Sequence, residues 1–135
     1  MVKSSENLLS LSSHWLAGFL DADGHLAIYI RYRQDRPNPT VRLTIRIDQH
    51  QKNESILLRL REQIGGTLYR NIRRKSITYS SSSLHNAKKW INYLDYFPLC
   101  SNKYKEYVIW RRAFFFREDI EKIQKFQNRL KSLRK

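Results

Sequence analysis

The segment VRLTIRID, residues 41–48, alternates apolar and polar side chains along its whole length. This period of two predicts a strand with one buried and one exposed face, as in an antiparallel sheet that is covered on one side. The same alternation runs through residues 26–33, and a loop with two prolines, residues 33–40, separates the two segments. The sequence therefore predicts a β-hairpin with one apolar and one polar face.

Helical and strand patterns follow one another along the rest of the chain. A helix is predicted over Leu8–Asp23, with Ser12 or Ser13 as its N-cap and Gly24 as a left-handed glycine that ends it. The other predicted elements are a helix over 53–64, a hairpin over 67–82 that turns near Arg74 and Lys75, and helices over 84–96, 102–116 and 118–133.

The order αββαββααα predicts an α+β fold, in which helices pack on one face of a four-stranded antiparallel sheet and extra helices follow at the C-terminus. We expect one domain over residues 1–135. Within it, the first helix lies at about 12–24, the sheet and its helices at 25–97, and the C-terminal helices at 102–133.

The charge balance predicts a polyanionic partner. Lys and Arg number 26 against 12 Asp and Glu, a net charge of +14, which favours nucleic acid or an anionic membrane surface. No apolar run approaches the roughly 18 residues of a bilayer span, so a membrane partner is not expected. The N-terminus lacks the pattern of a secretory or transit peptide, and a single cysteine, Cys100, favours a reducing compartment. We expect an intracellular protein that is not secreted.

The polar face of the first hairpin is rich in arginine. A polar face can simply be solvated, but solvated faces usually mix both signs of charge, whereas this one is almost entirely positive. Arginine suits bidentate contacts with guanine edges and phosphates, and a β-ribbon fits the major groove of duplex DNA. We therefore predict that double-stranded DNA is bound by both hairpins, through Ala27, Tyr29, Arg31, Arg33, Thr40, Arg42, Thr44, Arg46, Arg70, Arg73, Arg74 and Lys75.

The predicted first helix ends with two acids, Asp21 and Asp23, where the helix dipole is itself negative. Such a placement indicates that a bound cation offsets the repulsion. A calcium-binding loop is excluded, because Phe19 and Ile30 would occupy its first and last ligand positions. Gly18 and Ala22 lie four residues apart and predict close helix packing, either against a helix of the same domain or against a second copy of this helix.

The segment LAGFLDADG, Leu16–Gly24, resembles the motif of the LAGLIDADG homing endonucleases and differs from it at Phe19 and Leu20. The αββαββα order and the segment HNAKKWINYLDYFPLCSNKYKEYVIW extend the resemblance over most of the chain. One motif implies a homodimer whose paired motif helices meet through Trp15, Ala17, Gly18, Asp21 and Ala22. The resemblance also implies a saddle of two sheets on DNA, and Mg²⁺-dependent cleavage of both strands of a long pseudo-palindromic site, usually for the homing of a group I intron. It further implies that the protein is organelle-encoded, in a mitochondrion or chloroplast.

The resemblance also implies roles for individual residues. Asp23 corresponds to the metal ligand, the carbonyl of Ala22 to a second donor, and Asp21 to a supporting acid. Gln49 matches a polar residue that family members carry after the second strand, although a plain surface role is an alternative. An active-site lysine corresponds to Lys103 or Lys105, with the same alternative for Lys103. Mn²⁺ is expected to replace Mg²⁺, and Ca²⁺ to support binding without cleavage.

Three questions stay open at this level. Proteins with this fold also include RNA maturases that assist group I intron splicing, so intron RNA is an alternative partner. Non-cleaving DNA-binding proteins are a further alternative, although an intact Asp23 favours a nuclease over both. The basic tail QNRLKSLRK, residues 127–135, either contacts flanking phosphates or caps the fold.

Overall fold

The computed structural model of the chain describes residues 14–134, so the predicted helix start at Leu8 and the caps Ser12 and Ser13 lie outside it. Its elements are α1 (Trp15–Asp23), β1 (Gly24–Arg31), β2 (Thr40–His50), α2 (Glu54–Gln63), β3 (Thr67–Asn71), β4 (Ser76–Ser81), α3 (Leu84–Tyr96), α4 (Lys103–Phe115) and α5 (Ile120–Leu133). A 3₁₀ turn, Gln51–Asn53, joins β2 to α2. Over the described residues, the predicted element order and α+β class are confirmed.

The strands form one antiparallel sheet in the order β1-β2-β4-β3. Its apolar face packs under the helices, and the largest buried side chains there include Trp90 and Trp110. The opposite face, which we call the polar sheet face, carries the alternate side chains of all four strands. β1 ends at Arg31. The sequence predicted that the strand pattern continues to Arg33, but Arg33 lies in the loop that follows.

β1 is an edge strand, and the C-terminal helices cover it. Trp110 of α4 donates a hydrogen bond from Nε1 to the carbonyl of Ala27 over 3.1 Å, and Gln127 of α5 donates one to the carbonyl of Ile28 over 2.9 Å. Such cover protects an edge from pairing with another chain. No helix among the described residues has the length and hydropathy that crossing a bilayer requires.

The prediction that Gly24 is a left-handed glycine is wrong. Gly24 has φ −81° and ψ 158°, an extended conformation, and it is the first residue of β1. A Cβ at this position would collide with the side chain of Leu20 and lie 2.7 Å from its carbonyl oxygen. Glycine is needed because the chain turns back directly over the last turn of α1, and not because of its φ angle.

We expect Gly24→Ala to lower the free energy of unfolding by about 1–3 kcal/mol, the usual cost of overpacking. Gly18→Ala is the matched control, since a Cβ at Gly18 meets nothing of the described chain within 4 Å. Alanine in mid-helix should hold or slightly raise stability. Urea unfolding of both variants measures the difference. Equal stability for Gly24→Ala and the wild type would contradict the close approach to Leu20.

Candidate active site and nucleic-acid interface

Asp23 is the last residue of α1, and its side chain is exposed. Gln49, the second-last residue of β2, donates a hydrogen bond from Nε2 to Asp23 Oδ2 over 2.8 Å. Asn53 in turn donates to Gln49 Oε1 over 2.9 Å, which fixes the amide so that its donor faces the carboxylate. The structure therefore brings together Asp23 and Gln49, and Asn53 is a supporting residue that the sequence did not indicate.

Asp21 is half-buried, and its carboxylate contacts the segment that leads into α4. Its carboxylate accepts hydrogen bonds from the backbone N–H of Cys100 over 2.8 Å and of Ser101 over 3.0 Å, and from the Ser101 hydroxyl over 2.6 Å. Burial alone would raise the pKa of Asp21, but these hydrogen bonds and the charge of Lys103 outweigh it and hold the pKa below its ordinary value. The contacts of Asp21 are thus those of a residue that joins α1 to α4.

The side chain of Lys103 reaches the end of the same helix. Its Nζ donates to the backbone carbonyl of Asp21 over 2.8 Å, where a cation is favoured by the helix dipole. Lys105 is exposed on the same helix. Because two residues correspond to about 200° of rotation in an α-helix, Lys105 points away from α1. Of the two candidate lysines, the structure places Lys103 beside the aspartates.

The described residues contain no group of three or more His, Cys, Asp or Glu side chains that could hold a metal ion. At the end of α1, the chain offers a single exposed carboxylate, that of Asp23, beside the exposed Ala22. The described residues of one chain therefore supply only part of a ligand set for a metal ion.

The polar sheet face is open and basic. Tyr29 lies opposite Arg42, and Arg31 lies opposite Thr40, in the pairing of β1 with β2. The three arginines of this face, Arg31, Arg42 and Arg46, are exposed, and Tyr29 is 52% exposed.

Arg46 belongs to a polar network that spans two strands of this face. It pairs with Asp48 at 3.2 Å, and Asp48 also accepts a hydrogen bond from Thr78 of β4. Arg46 also donates from Nε to Asp48 Oδ1 over 3.3 Å, so two contacts to one carboxylate orient the guanidinium, and Asp48 offsets part of its charge.

Three members of the predicted DNA-binding set are placed differently from expectation. Ala27 and Thr44 pair with each other on this face but are only 5% and 8% exposed, so larger neighbours leave them little free surface. Arg70, which was predicted to bind DNA, lies opposite Ile77 on the helix-covered face and pairs with Glu54 of α2, so it is not on the polar sheet face. Arg70 shares its face with Leu68, two residues earlier, and this apolar neighbour was the signal that could have placed it.

The structure adds residues to the polar sheet face that the sequence analysis did not select. Tyr69 is 69% exposed and lies opposite Thr78, and His25 lies opposite Arg46. Burial lowers the pKa of His25, and the positive charges of Arg134, Arg46 and Lys103 lower it further against the opposing effect of Glu106. The alternation around Ile77 and Tyr79 shows which face of β4 carries Thr78. Only the register of the hairpin, which pairs Tyr69 with Thr78, then places Tyr69 on the polar sheet face.

The turn of the second hairpin, residues 72–75, holds Arg73, Arg74 and Lys75, all exposed. This turn occupies the position that the sequence predicted. The backbone N–H of Gln51 donates to the carbonyl of Lys75 over 2.8 Å, which ties the turn to the end of β2.

The outer side of α1 carries its small residues. Gly18 and Ala22 are exposed, with the half-buried Trp15 and Phe19 beside them. Ala17 is 3% exposed and donates its backbone N–H to Tyr93 Oη over 2.9 Å. The placement of Ala17 in an exposed interface is therefore wrong, because this residue faces its own core. No atom of the described chain packs against Gly18, so an internal helix partner does not explain the glycine.

Comparison with known proteins identifies close sequence relatives from Schizosaccharomyces pombe. An uncharacterized cox1 intron-2 protein of 37.2 kDa is 40% identical over 105 residues, which is 78% of this chain and 31% of the relative. A probable intron-encoded endonuclease, Cox1-I1b, is 32% identical over 108 residues, which is 79% of this chain and 28% of the relative. The chain therefore spans about a third of the length of these two relatives.

Solved structures resemble the chain in fold. The LAGLIDADG homing endonuclease I-LtrWI bound to target DNA has a TM-score of 0.74 at 20% identity, over 84% of this chain and 42% of that protein. The homing endonuclease I-TnaI has a TM-score of 0.71 at 20% identity, over 88% of this chain and 82% of that protein. I-SmaMI bound to uncleaved DNA with calcium ions has a TM-score of 0.71 at 19% identity, over 88% of this chain and 42% of that protein.

The motif at the end of α1, the sheet order and these similarities agree with one further finding. The sequence profile described as LAGLIDADG endonuclease matches residues 16–114, well over half of the chain. The chain therefore belongs to the LAGLIDADG endonuclease family.

Proposed function

We propose that the chain acts as a homodimeric homing endonuclease that makes a metal-dependent double-strand break in a long, pseudo-palindromic DNA site. The observation that most supports this function is the exposure, orientation and position of the Asp23 carboxylate. Its carboxylate is exposed at the end of α1, is oriented by Gln49, and lies at one end of a sheet whose open face bears arginines. A regulator or a maturase has no need of an oriented, exposed carboxylate at that place.

The donors at the end of α1 fit a divalent cation with oxygen ligands. Asp23 and the backbone carbonyl of Ala22 would hold it, at a helix end that favours positive charge. Mg²⁺ takes one or two carboxylates from a protein and completes its shell with water and phosphate oxygens, so two protomers and DNA supply what one chain lacks. When bound, the ion activates water and stabilises the leaving oxygen.

The polar groups around Asp23 position it and balance charge. Gln49 holds the carboxylate in one orientation, because Asn53 fixes the amide from the other side. Lys103 places a positive charge at the end of α1, held there by the Asp21 carbonyl. A lysine in this position would stabilise negative charge that develops on the phosphate.

The small residues on the outer side of α1 support the proposed homodimer. A glycine inside a helix costs about 0.5–1 kcal/mol relative to alanine, and nothing in the described chain packs against Gly18 to explain it. A second α1 approaching across a two-fold axis at Gly18 and Ala22 would do so. Trp15 and Asp21 would border this contact between the two helices. The Asp23 residue of each copy would lie near the two-fold axis.

DNA recognition is proposed for the exposed members of the polar sheet face and the loops beside it. Direct contacts are expected from Tyr29, Arg31, Arg42 and Arg46, with Arg33 and Thr40 at the outer end and Arg73, Arg74 and Lys75 in the second turn. Tyr69 joins this set because it is exposed on the same face.

We expect Arg46→Ala to weaken binding by about 1–3 kcal/mol if its guanidinium contacts a base edge, and to relax the preference at one base pair of each half-site. If it contacts phosphate instead, affinity should fall for all sequences alike and the salt dependence should drop by about one unit of slope. Titrations at several salt concentrations separate the two results. Arg61→Ala, an exposed arginine on α2, is the control, and equal affinity for both variants would place Arg46 away from DNA.

An RNA maturase is the second candidate, because both curated relatives are intron-encoded by name. The same relatives support an intron-encoded origin for this chain, and we propose an organelle as its compartment.

The function is tested by selecting bound duplexes from a random DNA library with the purified protein. We expect one long site with approximate two-fold symmetry, and weaker binding to structured intron RNA. Selection of no DNA sequence, with tight binding to intron RNA, would favour the maturase.

A further inference from the structure

The turn between β3 and β4 presents an apolar side chain among positive charges. Ile72 is 89% exposed, more than any other large apolar side chain in the described part of the chain. Arg73, Arg74 and Lys75 follow it directly. An exposed isoleucine stabilises nothing in the free protein, and neighbouring cations would be costly to bury in an apolar protein surface. Duplex DNA, with stacked bases between lines of phosphates, suits both kinds of side chain.

The turn is ordered rather than loose. Arg74 donates its backbone N–H to the side-chain oxygen of Asn71 over 3.2 Å, and Lys75 donates to the carbonyl of Ile72 over 3.3 Å. Lys75 has φ 54°, a left-handed conformation that is strained for a residue with a side chain. The hydrogen bond from Gln51 to Lys75 holds this conformation in place. A preorganised tip loses little entropy when it inserts into a partner.

The position of the turn connects it with the candidate active site. Ile77, just after the turn, lies opposite Gln49 in the sheet, and Gln49 donates to Asp23. Gln51, two residues after Gln49, holds the turn itself. Ile72 therefore lies at the end of the sheet that carries Asp23, where the DNA is to be cut.

We propose that Ile72 is a wedge that enters the minor groove of the target and partly unstacks one base step beside the cleaved bonds. Arg73, Arg74 and Lys75 hold the phosphates on either side. Apolar side chains inserted in this way kink a duplex, and the kink would bring the scissile phosphates toward Asp23. The inference rests on the proposed DNA binding. Pyrimidine–purine steps unstack most easily, so the selected site should contain TA, CA or TG at this position.

The experiment places the fluorescent base 2-aminopurine at successive positions of the selected duplex and measures emission when the protein binds. We expect emission to rise at least about twofold at one step per half-site with the wild type, because unstacking relieves quenching. Ile72→Ala should abolish the rise and reduce the bend measured by energy transfer between the duplex ends. Ile72→Leu, which keeps an apolar wedge, should restore both signals.

Two controls separate this role from others. Arg73→Ala should lower the salt dependence of binding by about one unit of slope and keep the emission change, and Leu133→Ala, an exposed apolar change on α5, should alter neither. If Ile72→Ala kept the emission change and the bend of the wild type, the wedge would be overturned. A change in the sedimentation of Ile72→Ala would also overturn it, because it would reveal that Ile72 makes a protein contact. A wild type that binds no duplex would overturn the proposed function as well.

Discussion

Asp23→Asn should bind the selected duplex and cut neither strand. The change removes one negative charge from each protomer at the place where the metal ion would be held, and metal-ion catalysis contributes several kcal/mol to such reactions. We therefore expect the single-turnover rate to fall by roughly 10³-fold or more. Binding without metal should hold or tighten, since two carboxylates no longer face the phosphates.

The fold of this variant should be intact, because Asp23 is exposed and the asparagine side chain still accepts the hydrogen bond from Gln49. Glu62→Gln is a matched control, as it removes an exposed carboxylate from α2 without touching α1 or the polar sheet face. Cleavage by Asp23→Asn at the wild-type rate would show that Asp23 holds no essential ion.

Gly18→Leu should separate the proposed dimer into monomers or yield insoluble protein. A Cβ at this position meets nothing of the described chain within 4 Å, so we expect a large effect to come from a second copy of α1. Bulk at the point of closest approach keeps two helices apart. A monomer would carry one Asp23 and one sheet, so double-strand cleavage should fall below detection.

Sedimentation at several protein concentrations measures this prediction. Gly18→Ala adds a single methyl group and should remain dimeric, which separates bulk from the loss of glycine itself. Normal circular dichroism in Gly18→Leu would show that the protomer still folds. An unchanged dimer in Gly18→Leu would place the interface elsewhere on the molecule.

The two faces of the sheet could be predicted well where the sequence of a single strand alternates clearly between apolar and polar residues. Alternation in β2 identifies both faces without a partner strand, and the exposed Arg42 and Arg46 lie on the predicted face. Arg70 was placed wrongly because its charge was given more weight than its spacing from Leu68. The faces of a short hairpin depend on its register, which the turn and the neighbouring strand determine together.

Around α1, local rules identified the motif but not its contacts. Gly24 was explained by a left-handed φ, whereas the structure shows a close approach to Leu20, which depends on where the next strand goes. Ala17 was grouped with its neighbour Gly18, although one residue is a rotation of about 100° on a helix and turns Ala17 toward the core. The bonds from Cys100 and Ser101 to Asp21 join segments about 80 residues apart, and no local pattern predicts them.

The most direct test follows both labelled strands of the selected duplex in the presence of Mg²⁺, Mn²⁺, Ca²⁺ or a chelator. The proposed function predicts that the wild type cuts both strands with Mg²⁺ or Mn²⁺, and binds the same duplex without appreciable cleavage when Ca²⁺ is the only divalent ion. A wild type that binds its selected site tightly and leaves both strands intact with every one of these ions would contradict the nuclease assignment.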